Sequence, residues 1–533
     1  MKDLLKEIIV KALLTMTIVK KPEDIIIEVP KCRDNGDYSS NICMQLAAEC
    51  KMNPRDIAYK LIEFITDDHV AKVCVKGPGF LNFYLNKQFL LKNLHNILIS
   101  GDNYGRNSLG LGQKVNLEYV SGNPTGTLHI GHARGASYGD SLANILKFCG
   151  YDVTREYYIN DSGNQIDNLE KSIKIRYLNI CGDRLTMPND GYHGKEIIKV
   201  ASDIFTKYGY DASDDVFKKW GLKYLLDEIK NDLNNYGVSY DVWTSEKDLY
   251  QNGLVDQTLN LLIENKYTYK KDSALFLKTS DFGDSKDRVL VKSDGNNTYL
   301  LPDIAYHRDK YNRGFDRLVD VFGADHHGYI ARLKASMTML NLDANKLDVK
   351  ILQMVRLLQD GEEIKLSKRT GKTLTMNDLV TEVGLDATRY FFAMRSLDSQ
   401  MDFDLSLATK KSNENPFYYV GYAHARINSI IGDKSIVLKD DYVTLEGEKI
   451  LNIMFKLYQF EDVVKLSANN MAPHIVTNYV YELATLFHSF YAKEKVLTDD
   501  LLATKERINL IKAVGIVIKN SLRLIGVKAP NKM

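Results

Sequence analysis

The chain has 533 residues, of which 44% are apolar and 26% charged, and 70 lysines and arginines stand against 69 aspartates and glutamates for a net charge of +1. This composition excludes a disordered or fibrous chain and fits about two to four globular domains. The near-zero charge argues against wholesale nucleic-acid binding, but local basic patches can still hold a large ligand, so charge alone decides nothing here.

No apolar run reaches the roughly 18 residues a membrane span needs. Lys6, Glu7 and Lys11 interrupt the apolar residues of the N-terminus, so no signal peptide is expected and the location is expected to be cytoplasmic, with no membrane partner. The six cysteines (32, 43, 50, 74, 149 and 181) form no Cys-x-x-Cys pair, which predicts reduced thiols and no structural metal.

Residues 2 to 18 carry Leu4, Leu5, Ile8, Ala12 and Leu13 at helical spacing. Ile25 to Val29 reads as a strand. Gly36-Asp-Tyr-Ser-Ser-Asn precedes a helix to Glu49, and Asn53-Pro-Arg caps another to Phe64. Val73 to Val75, the turn Gly77-Pro-Gly-Phe80 and Leu81 to Leu85 read as strand, turn, strand. The spacing thus predicts an α+β domain over residues 1–106.

The stretch from Val115 to Gly150 organises the rest. An apolar strand to Val120 meets the turn formers Ser121, Gly122, Asn123, Pro124 and Gly126. Leu142, Ile145, Leu146 and Cys149 then fall at helical spacing, and Gly150 closes the helix. Strand, glycine turn and helix make the phosphate-binding corner of a nucleotide-binding α/β unit. At the helix start lies His129-Ile-Gly-His132, two histidines on one face beside unpaired helix N–H groups, with Gly131 leaving room for a ligand. Such a pair suits a phosphate gaining charge in a transition state; two ordinary surface histidines are the alternative.

Tyr151 to Ile159 reads as a second strand, running into Asn160-Asp-Ser-Gly-Asn-Gln165. Residues from about 166 to 290 are charge-rich and mostly helical, with Asp241-Val-Trp-Thr-Ser-Glu246 near the middle, and read as an insertion. Leu275 to Leu277, Arg288 to Lys292 and Leu318 to Phe322 follow as strands, with Asn296-Asn297 as a turn. After the apolar run Val349 to Leu358 comes the basic loop Lys365-Leu-Ser-Lys-Arg-Thr-Gly-Lys372. From about residue 406 the pattern becomes long helices: Asn413 to Ile431, Thr444 to Ser467, His474 to Lys493 and Thr504 to Leu524. This bundle is rich in Tyr418, Tyr419, Tyr422, Phe487, Phe490 and Tyr491. Most are expected in the core, with a few exposed rings able to stack bases.

The histidine motif together with the basic loop resembles the paired signatures of class I aminoacyl-tRNA synthetases. Gly36-Asp-Tyr-Ser-Ser-Asn, Asn53-Pro-Arg, Gly77-Pro-Gly-Phe-Leu-Asn82-Phe, Asp281-Phe-Gly-Asp-Ser-Lys-Asp-Arg-Val-Leu-Val-Lys-Ser-Asp294, Ser412-Asn-Glu-Asn-Pro416 and the ending Gly526-Val-Lys-Ala-Pro-Asn-Lys-Met533 are similar to the arginyl-tRNA synthetases of bacterial type. The resemblance spans nearly the whole chain. It implies a multidomain α/β protein: a Rossmann-like parallel-sheet catalytic domain over 107–405 with the insertion, the N-terminal α+β domain on the tRNA elbow, and an all-α anticodon-binding bundle over 406–533. It implies ligation of L-arginine to its tRNA through an adenylate, with ATP and Mg²⁺ and no structural metal. By the same analogy the first step requires bound tRNA, and a monomer is expected.

By that resemblance His129, His132, Lys365 and Lys368 are catalytic. Pro124, Thr125, Gly126, Gly131 and Ser367 join them around ATP. Glu118, Asn123, Tyr299, Asp303 and His326 bind arginine, and Asn82 and Tyr84 contact tRNA. Many members lack the second lysine of the loop, which this chain keeps as Lys368. The residue types support the arginine assignment, since a guanidinium is a planar fork of donors best met by carboxylates. Glu118 near a strand end and Asp303 after Tyr299-Leu-Leu-Pro also read as an edge-strand charge and a helix cap. A small-molecule nucleotidyltransferase or a non-catalytic tRNA-binding protein are the competing readings.

Overall fold

The computed structural model describes residues 1–30, 32–326, 328–364, 374–434, 438 and 442–533. Its centre is a five-stranded parallel sheet. In chain order the strands are β1 (Lys114–Glu118), β2 (Asp152–Ile159), β3 (Val242–Ser245), β4 (Arg317–Gly323) and β5 (Leu347–Leu352). They lie side by side as β5-β4-β1-β2-β3, with Leu117 level with both Val319 and Arg155. The order reverses between β1 and β4, and a ligand crevice opens beyond the carboxyl ends of the strands at such a switch point. Helix α1 (Ile130–Phe148) follows β1, and helix α2 (Leu300–Asn312) leads into β4.

The third strand corrects the sequence reading. Asp241-Val-Trp-Thr-Ser was assigned to an insertion running from 166 to 290, yet Val242–Ser245 pairs in parallel with Glu156 to Ile159 and completes the central sheet. Trp243 stacks on Tyr157 at 4.5 Å, so the aromatic residue that looked like part of a helical insert packs a sheet edge. Two separate excursions flank this strand. Helices Asn164–Cys181, Lys195–Tyr208 and Asp214–Asn235 close on their own core around Leu169, Ile173, Ile197, Val200 and Phe217. Strands Thr268–Lys271, Ala274–Leu277 and Arg288–Val291 form a small antiparallel sheet.

Near the N-terminus Tyr38–Ser40, Phe80–Leu85 and Val70–Lys76 make a three-stranded antiparallel sheet with Phe80–Leu85 in the middle. The strand expected over 25–29 contributes only one bridge, Glu28 to Ser39. Pro22 opens a short 3₁₀ turn before it and Pro30 follows it, and neither can donate to a ladder. Asn53 caps Pro54–Ile62 as expected, accepting from the Arg55 amide at 2.9 Å.

The apolar run 349–358 splits into β5 and Val355–Gln359, which pairs with Met401–Asp404 in a different sheet. The C-terminal part is helical: Pro416–Ile431, Glu448–Tyr458, Phe460–Asn470, His474–Tyr491 and Leu501–Leu524. The helix expected over 444–467 is thus two, joined at Gln459. This bundle also grips the N-terminal part: the Tyr104 hydroxyl donates to the Leu457 carbonyl at 3.1 Å, and Asn520 donates to the Gly101 carbonyl at 3.0 Å. No helix among the described residues is long and apolar enough to cross a membrane.

Candidate active site

The chain leaves β1 abruptly. Val120 has φ of +71° and Ser121 of +36°, backbone states that cost energy for side-chain-bearing residues and persist only where the surroundings enforce them. The Ser121 hydroxyl supplies part of that enforcement: it donates to Glu118 Oε1 at 2.9 Å and accepts from the Tyr158 amide at 3.1 Å. The turn carries Gly122 and Asn123 over the carboxyl edge of the sheet and delivers His129 as the N-cap of α1.

The two histidines form a reciprocal cap. His129 Nδ1 accepts from the Gly131 amide at 3.1 Å, while the His129 amide donates to His132 Nδ1 at 3.1 Å. Both Nδ1 atoms are therefore acceptors, and each neutral ring carries its proton on Nε2. The rings lie 3.9 Å apart. Burial lowers both, and His132 is brought down to about 3 by burial and by its neighbour His129. The site thus offers two neutral N–H donors. A Cβ at Gly131 would lie 2.9 Å from His129 Cε1, so its missing side chain makes room for the His129 ring at the edge of the cavity.

A cavity of about 440 Å³ opens beside the pair, between the β1 turn, the start of α1 and the ends of β4 and β5. His129, Gly131, His132, Asn123 and His326 line it. Pro124, Thr125 and Gly126 belong to the same turn but do not line this cavity. Its size and its N–H donors fit a nucleotide phosphate group at a helix N-terminus.

On the other side of Ser121 lies an acidic well. Glu118, Asp303 and Glu246 all raise the Tyr158 phenol, after burial, through their charge. Glu246 Oε2 accepts from the Tyr158 hydroxyl at 2.9 Å, and Ser162 also donates to Glu246. Tyr329 shares a hydrogen bond with Asp303. Lys310 Nζ donates to Glu118 Oε2 at 2.6 Å and to Asp320 Oδ1 at 2.8 Å. Burial pushes the Glu118 carboxyl up, Lys310 pulls it down and Asp320 pushes it up again. Tyr299, at the start of α2, is 67% exposed.

The structure therefore brings Glu118 and Asp303 to one well and the histidine pair to the adjoining cavity. Lys365, Ser367 and Lys368 lie outside the described residues. Immediately after that loop, Thr375 bridges His129, and the Met376 amide donates to the Leu128 carbonyl at 2.7 Å. Two tRNA contacts fare differently. Asn82 is 2% exposed in the central strand of its sheet, where its backbone pairs with Ser39 on one side and Cys74 on the other. Tyr84 stays partly exposed, with Lys72 over its ring at 5.6 Å.

Sequence reasoning missed His307, Lys310, Asp320, Tyr158 and Glu246. The pattern His-x-x-Lys on α2 was the available signal: it places two cations one turn apart on the helix that carries Asp303. Among the described residues no group of three or more His, Cys, Asp or Glu side chains could hold a metal ion.

Residues 93–394 match the model of the class I tRNA synthetase (R) catalytic domain. Residues 3–85 match the arginyl-tRNA synthetase N-terminal domain, and 420–533 the DALR anticodon-binding domain. The arginine–tRNA ligase of Bacillus subtilis is 47% identical over 550 aligned residues, covering 100% of this chain and 99% of the relative. That of Staphylococcus aureus is 48% identical, covering 96% and 95%. The solved arginyl-tRNA synthetase of Thermus thermophilus superposes with a TM-score of 0.77 over 100% of both chains at 21% identity, a likeness of fold. A switch-point crevice with paired neutral histidines, an acidic well and these matches along its length place the chain in the arginyl-tRNA synthetase family.

Proposed function

We propose that this crevice joins L-arginine to ATP as arginyl-adenylate, with release of pyrophosphate, and then passes the arginyl group to the 3′-terminal adenosine of its tRNA. The observation that carries this reading is the adjacency of the two halves of the site. One serine, Ser121, lines the donor-rich cavity and also holds Glu118 in the acidic well. An amino acid with its guanidinium in the well directs its carboxylate toward the cavity, where the α-phosphate of ATP lies. Positioning and charge stabilisation then supply most of the rate.

His129 and His132 donate from Nε2 to phosphate oxygens as negative charge builds, and being neutral they do so without the cost of burying extra charge. Glu118 and Asp303 meet the guanidinium. Asn123, Tyr299 and His326 surround the rest of the substrate, and Pro124, Thr125 and Gly126 shape the turn. Lys365, Ser367 and Lys368 act on the phosphates, and Mg²⁺ enters with ATP as part of the substrate. The N-terminal domain meets the tRNA elbow through the surface around Tyr84, and the helical bundle meets the anticodon loop. The enzyme works as a cytoplasmic monomer, and the segments 1–106, 107–405 and 406–533 are its three functional units.

Arginine-dependent ATP–pyrophosphate exchange with and without tRNA tests this. Exchange that requires both arginine and tRNA is the expected result. Exchange without tRNA would retain the ligase and remove the tRNA requirement. No exchange with tRNA still bound would return the chain to a non-catalytic tRNA-binding role.

A further inference from the structure

Beneath the acidic well runs a continuous chain of buried charges. His307 Nδ1 faces the Asp303 carbonyl at 2.8 Å and Asp303 Oδ1 at 3.1 Å, while its Nε2 faces Asp320 Oδ2 at 2.7 Å. Asp320 Oδ1 accepts from Lys310, which also donates to Glu118. Lys310 and Asp320 are 0% exposed. Every oxygen facing the His307 ring is a carbonyl or carboxylate with no proton to give, so both ring nitrogens must donate and the ring is an imidazolium. Burial alone would lower this histidine, but Asp303 and Asp320 raise it to about 10. Burial likewise opposes the Lys310 charge, and Asp320 and Glu118 more than restore it.

Two cations are thus set one helical turn apart on α2, between the two carboxylates assigned to the guanidinium. We propose that His307 and Lys310 are positioning residues that select arginine. They fix the Asp303 and Glu118 carboxylates in place through the shared anchor Asp320, and they leave the well, which also holds Glu246, net negative toward a guanidinium. Glu118, Asp303, Asp320 and Glu246 outnumber the two cations, while the nearby Glu156 is itself paired with Arg313. Without the cations, the buried Glu118 and Asp320 and the partly buried Asp303 would repel one another and take up protons, and protonated carboxyls hold a guanidinium poorly. The inference rests on the reading of the well as the arginine site.

The test uses the full-length enzyme with tRNA and compares wild type with His307→Gln, Lys310→Met and Asp320→Asn in pyrophosphate exchange. The expected result is a KM for arginine raised by roughly tenfold or more, in keeping with the loss of a charge-assisted hydrogen bond. The ATP KM should stay near wild type, and kcat at saturating arginine should fall far less. Lys310→Arg, which keeps the charge, should recover part of the arginine affinity. Citrulline, the neutral isostere, should discriminate less sharply from arginine in the charge-removing variants than in wild type. A structural ion cluster alone would lower the denaturation midpoint without moving the arginine KM, and that outcome would overturn the proposal. Nitrogen-15 NMR of the unaltered enzyme covers variants that fail to fold: one histidine should keep both ring nitrogens protonated at pH 8, and its absence would equally overturn it. Wild type without arginine-dependent exchange would instead refute the site assignment itself.

Discussion

Met376 and Leu128 share a backbone hydrogen bond of 2.7 Å, and beside it Thr375 bridges His129. The segment that follows the basic loop is thereby stitched to the start of the histidine motif. Thr375 also caps the helix Met376–Val383: its hydroxyl accepts from the Asp378 amide at 3.0 Å, and the Asp378 carboxylate accepts from the Thr375 amide at 3.1 Å. Asp378→Ala removes one half of this reciprocal cap, at about 1 kcal/mol. Exchange kinetics should show an ATP KM raised about threefold to tenfold with the arginine KM unchanged. An unchanged ATP KM would detach the cap from loop placement.

His132→Ala removes one of the two Nε2–H donors at the cavity. Loss of a preorganised donor to a developing oxyanion lowers kcat by about 10²-fold or more. Arginine binding, which depends on the far side of Ser121, should be nearly untouched. Unchanged kcat would leave His132 with a capping role only.

The neutral state of that pair has a pH consequence. In the folded chain His132 titrates at about 3, against about 6.5 when unfolded. Below 6.5 the unfolded state therefore binds the additional proton, so His132 makes stability fall as pH drops from 6.5 toward 3 and has no effect above 6.5. One proton corresponds to about 1.4 kcal/mol per pH unit. Unfolding free energies measured between pH 5 and 6.5 should have a slope smaller by about that amount in His132→Ala. Over pH 6 to 8, kcat should not rise on acidification, as it would if an imidazolium were the donor.

The strand–turn–helix corner was legible because its signals are local: an apolar strand, turn formers and a helical period adjoin one another from Val115 to Gly150. The third strand was not, because Val242–Ser245 has four residues between long charged helices and becomes a strand only by pairing with Glu156 to Ile159. The same limit applies to the site. His129 and His132 are neighbours in sequence, whereas Glu118, Lys310 and Asp320 converge from β1, α2 and β4. A buried lysine reads in sequence as a surface charge, since its carboxylate partners are known only once the sheet is assembled. Asn82 shows the converse limit: a polar residue in a motif reads as exposed, and its 2% exposure is known only once the sheet is assembled.

Arg389 joins the catalytic and helical parts. Its guanidinium donates to Asp140 on α1, to the Tyr236 carbonyl at 3.0 Å and to the Ile525 carbonyl at 3.3 Å. Gly526 has φ of +68°, and a Cβ there would overlap that guanidinium. Gly526→Ala must both strain the backbone and displace a buried, paired charge, which together cost roughly 2 kcal/mol or more. Denaturant unfolding should show a lowered midpoint, and a wild-type midpoint would mean that the C-terminal segment moves aside freely.

The helical bundle carries one aromatic and basic face suited to unpaired bases. Tyr418 stacks on Tyr422 at 6.1 Å with planes 10° apart, and Tyr422 stacks on His488 at 6.1 Å. Arg426 lies 5.2 Å from the Tyr422 ring and 5.4 Å from that of Tyr491, which is 36% exposed. Rings held by their neighbours lose little freedom on stacking a base, and the guanidinium adds charge where a nucleic-acid backbone passes. Each stacked base contributes about 1–3 kcal/mol, so Tyr422→Ala should weaken tRNA binding by roughly 5-fold to 150-fold. Arg426→Ala should weaken it less at high salt than at low salt. Both variants should retain the wild-type arginine KM once tRNA is saturating. Full tRNA affinity in Tyr422→Ala would move the anticodon contact to another face of the bundle.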